Sequence, residues 1–253
     1  MFQIRQVPAV LVLVFPSLLA VGCGPTLSTS VRTETAFAPG NTGTLSQDGL
    51  TIEVPNLNQM PEVFRVEAPV CDSNGNPVVD SGSGLASTTT ITALPIGGDL
   101  FQIKLTNQTD HVVRLQGSVI RLFDPGENQI EPQSKEEVVA TAARPSNLAK
   151  QSACPAAAAK ITDALTTVRF IGPNTELLPG TTTTGYLMFL PPNVELPGTW
   201  KLSLYEIPVK VDAAGAAVAK TRFDFGYVRK KFQDTYSQEM MGERKLVSTK
   251  EVP

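Results

Sequence analysis

Between Gly49 and Tyr227 the chain keeps returning to one pattern: a short run in which apolar and polar residues alternate, then a cluster of Gly, Pro, Asn or Asp. In an extended strand successive side chains point to opposite faces, so such runs bury one face and wet the other. Phe101, Ile103 and Leu105 fall on one side, and Gln102, Lys104 and Thr106 on the other. From His111 to Phe123 the alternation continues through Val113, Leu115 and Val119, then shifts phase to Ile120 and Leu122. The shift predicts a bulge near Ser118, and the two runs together predict an antiparallel meander. Trp200, Leu202 and Leu204 alternate in the same way, followed by Ile207, Val209 and Val211. Asp212-Ala-Ala-Gly215 then turns the chain into a strand whose Phe223, Phe225 and Tyr227 face away from Arg222 and Asp224. Thr183 to Leu190 is nearly continuous in apolar residues and predicts a central strand. Shorter β-rich runs occur at 50–54, 63–71, 88–93 and 166–171, with Pro69 bending the second of these.

About nine strand candidates at short spacing, separated by turn chemistry, predict a mainly β chain built as an antiparallel β-sandwich over residues 49–228. The pattern breaks once, at about 134–165. Ser134 followed by Glu137 has the capping-box spacing of a helix start. Pro145 ends that element, and Pro155 suits the first turn of a second helix over Ala156 to Leu165. A short helical insertion is therefore expected inside the sandwich. Residues 229–253 are polar, with charges of both signs, and are expected to form a mobile tail anchored by Phe232 and Tyr236. Residues 233–246 have an alternative as a short helix.

The N-terminus has a different character. Arg5 precedes an apolar core, VPAVLVLVFPSLL, and no further charge occurs until Arg32. A secretory signal peptide has this layout. A membrane-spanning helix needs about 20 apolar residues, and this run is shorter and interrupted by Pro8 and Pro16. The next residues, Ala20-Val21-Gly22-Cys23, resemble the lipobox of bacterial lipoproteins, with Leu19 and Ala20 near the position where that family prefers leucine. The resemblance implies cleavage after residue 22 and a diacylglyceryl group on the Cys23 sulfur. Gly24, rather than aspartate, implies sorting to the outer membrane. Cleavage by ordinary signal peptidase, leaving Cys23 unlipidated, is the alternative. Two or three acyl chains on one residue suffice for stable anchoring, where a single chain does not. Residues 23–48 are rich in Ser, Thr, Gly and Pro and read as a flexible tether. The alternative is an edge strand over 28–37.

The order of apolar alternation, turn at Asn107–His111, Asp124-Pro-Gly turn, Leu178-Pro-Gly, Gly185-Tyr-Leu and final hairpin resembles the immunoglobulin-like modules of bacterial surface lipoproteins of unknown function. It covers roughly residues 101–227 and implies a fold and a location, but no catalytic residues.

Composition excludes several function classes. The net charge of −3 supplies no basic field for nucleic acid. With a single histidine, His111, a multi-histidine metal site is impossible. Asp110 beside it invites a triad reading, but neighbours in extended chain point apart and no nucleophile elbow accompanies them. Asp72, Asn74 and Asn76 have the spacing of calcium ligands, yet Pro77 and Ser83 stand where the loop needs glycine and glutamate. A β-turn explains them more simply. Arg229-Lys-Lys231 reads as a solvated strand end.

Once Cys23 is assigned to lipid, Cys71 and Cys154 remain as a candidate disulfide for an oxidising compartment. Two separate buried thiols are the alternative. The expectation is a non-enzymatic envelope lipoprotein without cofactor or metal, held to the outer membrane through its N-terminal lipid and contacting another envelope protein. A small-ligand or carbohydrate-binding sandwich is the alternative, with Trp200, Tyr186 and Tyr205 as stacking residues.

Overall fold

The structure, a computed structural model, describes residues 26–55, 60–72, 74–80, 82–193, 195–214, 216–238 and 245–253. The expected signal segment and Cys23 lie outside the described residues. Among the described residues strands account for 51% and helices for 13%, so the fold is mainly β, with antiparallel sheets. In chain order the strands are β1 (Thr26–Phe37), β2 (Thr44–Gln47), β3 (Leu50–Glu53), β4 (Arg65–Pro69), β5 (Thr88–Thr92), β6 (Asp99–Asn107), β7 (Val113–Arg114), β8 (Val119–Phe123) and β9 (Gln129–Ile130). Three helices follow: α1 (Lys135–Ala142), α2 (Pro145–Lys150) and α3 (Ala157–Thr166). The chain closes with β10 (Glu176–Leu177), β11 (Thr182–Phe189), β12 (Gly198–Val211), β13 (Ala217–Gln238) and β14 (Lys245–Val252).

Contact density divides the chain into two units: Met1–Ser30 with Asp234–Thr249, and Val31–Gln233 with Lys250–Pro253. In the smaller unit the described parts are the start of β1, the end of β13 and most of β14. There Thr249 Oγ1 donates to the buried Asp234 carboxylate at 2.6 Å.

The larger unit holds both hydrophobic cores. One sheet runs β1-β13-β12-β8-β9, with β14 beside β13, and another runs β11-β6-β3-β2. Inner faces of both sheets supply one core: Ile52, Phe101, Ile103 and Leu187 from the second, and Leu122, Trp200, Leu202, Phe223, Phe225 and Tyr227 from the first. The aromatic face expected of β13 is there, and all three of its rings are buried. The hairpin into β13 is also as read, with Asp212 Oδ1 accepting the backbone N–H groups of Ala214 and Ala216.

The strands at 101–107 and 113–123 do not pair as a meander. β6 lies between β11 and β3, β7 pairs with β10, and β8 pairs with β12. The turn at Asn107–His111 carries the chain from β6 into the short β7–β10 pair, β8 then joins the other sheet, and both runs still face the same core. The phase shift expected as a bulge is a turn: Ser118 N–H donates to Leu115 C=O at 2.9 Å, with Gly117 at φ +81°. A register shift does occur in β12, between Leu204 and Ile207, where Glu206 adopts φ +60°.

β11 stands at the end of its sheet rather than in its middle. Its continuous apolar run has another cause: both of its faces are covered. Leu187 and Phe189 enter the first core, whereas Met188 enters a second, with Tyr186 packed against it. That second core joins α1, α2 and α3 to the β4–β5 hairpin through Phe64, Ile91, Leu94, Val138, Leu148, Ile161 and Leu165. Gly98 permits the close approach of Met188, since a Cβ there would lie 1.9 Å from the Met188 Cε. Residues 166–171 are not a full strand; α3 runs to Thr166, and Phe170 alone bridges Tyr186.

The helical insertion contains three helices, not two. At Ser134 the expected capping box is present: its Oγ accepts from Glu137 N–H at 3.2 Å, and the Glu137 carboxylate accepts from Ser134 N–H at 2.8 Å. Pro145 ends α1 as expected but also opens α2, standing at its first turn, a position that needs no N–H donor. Two strands, β1 and β2, lie inside the stretch expected to be tether. The C-terminal residues expected to be a mobile tail or short helix extend β13 to Gln238 and form β14. β1 and β14 pair onto β13 and β2 onto β3, and backbone pairing needs no apolar signal.

Candidate functional site

The disulfide candidate is a bond: the Cα atoms of Cys71 and Cys154 lie 5.0 Å apart and their sulfurs are linked. Local backbone pairing brings them together. Cys71 N–H donates to Ser152 C=O at 3.1 Å, Cys154 N–H to Pro69 C=O at 3.0 Å, and Val70 bridges Ala153. The bond thus ties the end of β4 to the α2–α3 connection. Beside it lies an open cleft of about 370 Å³, floored by Cys71, Pro145, Leu148 and Ala153. Asp72 at its rim is occupied by its own turn, its Oδ1 accepting from Asn74 and Asn76 N–H at 2.9 Å each. Those bonds, that from Asn76 first, hold its carboxyl below the ordinary value. The turn reading of residues 72–76 accounts for these contacts.

Side chains pin the helices to the hairpin by satisfying backbone groups. Gln151 acts as a one-residue strand: its Oε1 accepts from Thr92 N–H at 2.7 Å and its Nε2 donates to Thr92 C=O at 3.1 Å. Asn147, buried, accepts from Ile96 N–H at 2.8 Å and donates to Ala142 C=O at 2.9 Å. Lys135 Nζ donates to the carbonyls of Thr166 and Val168 at 2.7 and 3.1 Å, occupying acceptors left open at the α3 C-terminus. None of these residues stands out in the sequence. Only their polar identity inside a helical insertion marks them.

Arg229 is not a solvated strand end. It is buried and forms an ion pair with Asp99, so that the pair links β13 in one sheet to β6 in the other. Its guanidinium lies 4.0 Å from the Trp200 ring centroid and 3.4 Å from the Tyr227 hydroxyl. Trp200 and Tyr227 are cross-strand partners with rings stacked at 6.4 Å and 12°. Burial raises the Asp99 carboxyl above its ordinary value, outweighing the attraction of Arg229. Burial likewise raises the Tyr227 hydroxyl. An arginine held over an indole and against a carboxylate is a packed, satisfied cluster.

The proposed stacking residues do not form a row. Trp200 is 1% exposed, and its indole N–H donates to Leu196 C=O at 3.0 Å. Tyr186 packs edge-on against Phe64 at 4.9 Å, on the second core. Tyr205 is half-buried, with the Arg222 guanidinium 5.4 Å from its ring centroid. A shallow cavity of about 440 Å³ lies between the Asp124–Gln129 turn and residues 199–201. Asp124 there is bonded to Asn128 and Gly126 of its own turn, which holds its carboxyl low, the Asn128 side chain contributing most.

His111 and Asp110 do meet, contrary to the extended-chain expectation: Nδ1 lies 3.0 Å from Asp110 Oδ1. They sit in a turn, where neighbours need not diverge. His111 Nε2 is buried without a hydrogen-bond partner, so no nucleophile continues the pair. Among the described residues no three His, Cys, Asp or Glu side chains converge as a metal site, and no helix is long and apolar enough to cross a membrane.

No family profile matches the chain. No curated protein matches it. A solved structure, the yjhA protein from Bacillus subtilis, aligns over 71% of this chain and 93% of that one, at 11% identity and a TM-score of 0.34. A likeness this slight carries no argument about fold or function.

Proposed function

We propose that the protein is a non-enzymatic envelope lipoprotein: a β domain anchored by a diacylglyceryl group on Cys23, working by contact with another envelope component. The observation that carries this reading is the succession of basic start, apolar core and Ala20-Val21-Gly22-Cys23. Three features support it. The Cys71–Cys154 bond suits an oxidising compartment such as the periplasm. Trp200 and Tyr186 are committed to the two cores, and Asp72, Asp110 and His111 lie in turns. And β1 begins at Thr26, close behind Cys23. The finer fold reading is an immunoglobulin-like sandwich, supported by two antiparallel sheets sharing one core. Location at the outer membrane rests on Gly24. The test is Cys23→Ala, with membrane fractionation and the mass of the N-terminal peptide. The reading expects acyl chains on Cys23 and release of the variant from the membrane fraction. A variant that stays particulate, or a peptide without lipid, overturns it.

A further inference from the structure

We infer that the Cys71–Cys154 bond is an exchangeable latch: a dithiol reductant attacks the Cys71 sulfur from the adjoining cleft and frees the helical insertion from the end of β4. The two sulfurs are unequally placed. Cys71 is half-buried and lines the open cleft of about 370 Å³ together with Asp72, Gly75, Leu148, Ala149 and Ser152. Cys154 is 3% exposed and lies behind it. In thiol–disulfide exchange a thiolate must reach one sulfur, and the sulfur it reaches decides which one leaves. Here the incoming thiolate meets Cys71. A new S–S bond forms to Cys71 Sγ, the electron pair of the old bond passes to Cys154 Sγ, and Cys154 takes up a proton. The second thiolate of the dithiol then attacks the reductant's own sulfur in that mixed disulfide. Cys71 leaves and takes up a proton in turn. The reductant departs as a disulfide, having passed two electrons and two protons to the cysteines.

The surroundings let the bond open and close again. Cys71 N–H donates to Ser152 C=O, Cys154 N–H donates to Pro69 C=O, and Val70 bridges Ala153. These contacts are made by backbone and do not depend on the S–S bond, so they keep the two thiols adjacent after reduction. A liberated Cys71 thiol also finds an acceptor in place, since Gly75 C=O lies 3.0 Å from its sulfur. Beyond Cys71 every described residue from Asp72 to Ala86 is exposed, so opening removes no buried core from that segment. Adjacency also selects the reductant. A monothiol that adds to Cys71 is displaced by Cys154 beside it, whereas a dithiol resolves the mixed disulfide itself and completes the reduction. The latch acts on the core under the helices, through the α2–α3 connection, and leaves the core between the sheets untouched.

The test treats the full, disulfide-bonded chain with dithiothreitol or glutathione under native conditions, traps free thiols with iodoacetamide and maps the peptides by mass. Dithiothreitol should reduce the bond at a rate proportional to its concentration and unchanged by urea below the unfolding transition. A rate that reaches a plateau, or climbs with urea, means that the chain must open first, and overturns the inference. Glutathione adducts should favour Cys71 over Cys154 by at least about tenfold. An even split, or an excess on Cys154, overturns it as well. Ala149→Trp narrows the cleft from its exposed wall, and Ala159→Trp, exposed on α3 outside the cleft, is the control. The first should slow reduction by at least about threefold and the second should leave it unchanged. Equal rates in the two variants remove the cleft as the route and sink the latch. The peptide carrying Cys23 is mapped separately, so the latch and the lipid anchor stand or fall independently.

Discussion

The two cores lie on opposite faces of β11 and are held by different means. The core between the sheets is bounded by long strands whose register places every inward residue: Trp200 opposite Tyr227, Leu202 opposite Phe225, Leu204 opposite Phe223. Its polar fastening is a buried ion pair between sheets, Asp99–Arg229. The core under the helices has short elements and little register. It relies on side chains that complete backbone hydrogen bonds, namely Gln151, Asn147 and Lys135, and on the Cys71–Cys154 bond. Extended ladders organise a core by repetition, whereas short helices need individual fastenings. The comparison predicts that damage stays in the core that receives it.

The largest effect belongs to the disulfide. Cys71 and Cys154 are 83 residues apart, and closing a loop of that length is worth roughly 4.5 kcal/mol in the chain-entropy model. Cys71→Ala with Cys154→Ala should lose most of that. Hydrogen exchange should show α1, α2 and α3 opening before β12 and β13 do. Simultaneous loss of protection in both regions would merge the two cores into one unit.

Removing Asp99 strikes the other core. Asp99→Ala leaves Arg229 buried without its carboxylate, and breaking such a pair from one side costs about 3–5 kcal/mol. Much of that is the penalty on a buried guanidinium that has lost this carboxylate, so Arg229→Met added to Asp99→Leu should restore a large part. Urea midpoints of the three proteins decide it. A double variant no more stable than Asp99→Ala would show the loss came from elsewhere.

A finer cut uses adjacent residues. Leu187→Ala empties the first core and Met188→Ala the second, each costing about 2–5 kcal/mol. The first should speed exchange in β12 and β13, the second in α1 and α3. Interchanged patterns would refute the assignment of β11 faces.

Those faces are partly legible in the amino-acid sequence. The run of apolar residues at 183–190 departs from strict alternation, which marks a strand covered on both sides. A central place in the sheet is one way to cover both faces; a second core laid against an end strand is the way this chain uses. Strands whose inward residues are large and apolar, such as β6, β12 and β13, stand out through period two, and α1 through its capping box. Their partners do not, because alternation names a face and not a neighbour. β1 reads more readily as tether than as strand because Thr26–Phe37 is mostly hydroxyl-bearing and charged, and its backbone pairing with β13 leaves no apolar trace. Arg229 looks like a surface charge because its burial depends on Asp99, 130 residues away in sequence. The disulfide is reachable by counting cysteines, but the cleft beside it is not.

The smallest effect separates the two regions by pH. Asp99 at the sheet–sheet core has its carboxyl raised by burial, whereas Asp72 beside the disulfide has its carboxyl lowered by backbone N–H groups, that of Asn76 foremost. The signs follow. For Asp99 the folded chain holds the proton more tightly than the unfolded chain. Its contribution is therefore present below the unfolded value and is lost as pH rises through the raised one. For Asp72 the folded chain holds the proton less tightly. Its contribution is present above the ordinary carboxylate range and is lost as pH falls through the lowered value. Mild acid should thus protonate Asp99 first, and only acid below the ordinary carboxylate range should loosen the 72–76 turn. Carboxyl ¹³C shifts followed by NMR should place Asp99 above the ordinary value and Asp72 below it. The reverse order would mean that Arg229, and not burial, governs Asp99, making the pair an ordinary salt bridge whose stabilisation fades in acid.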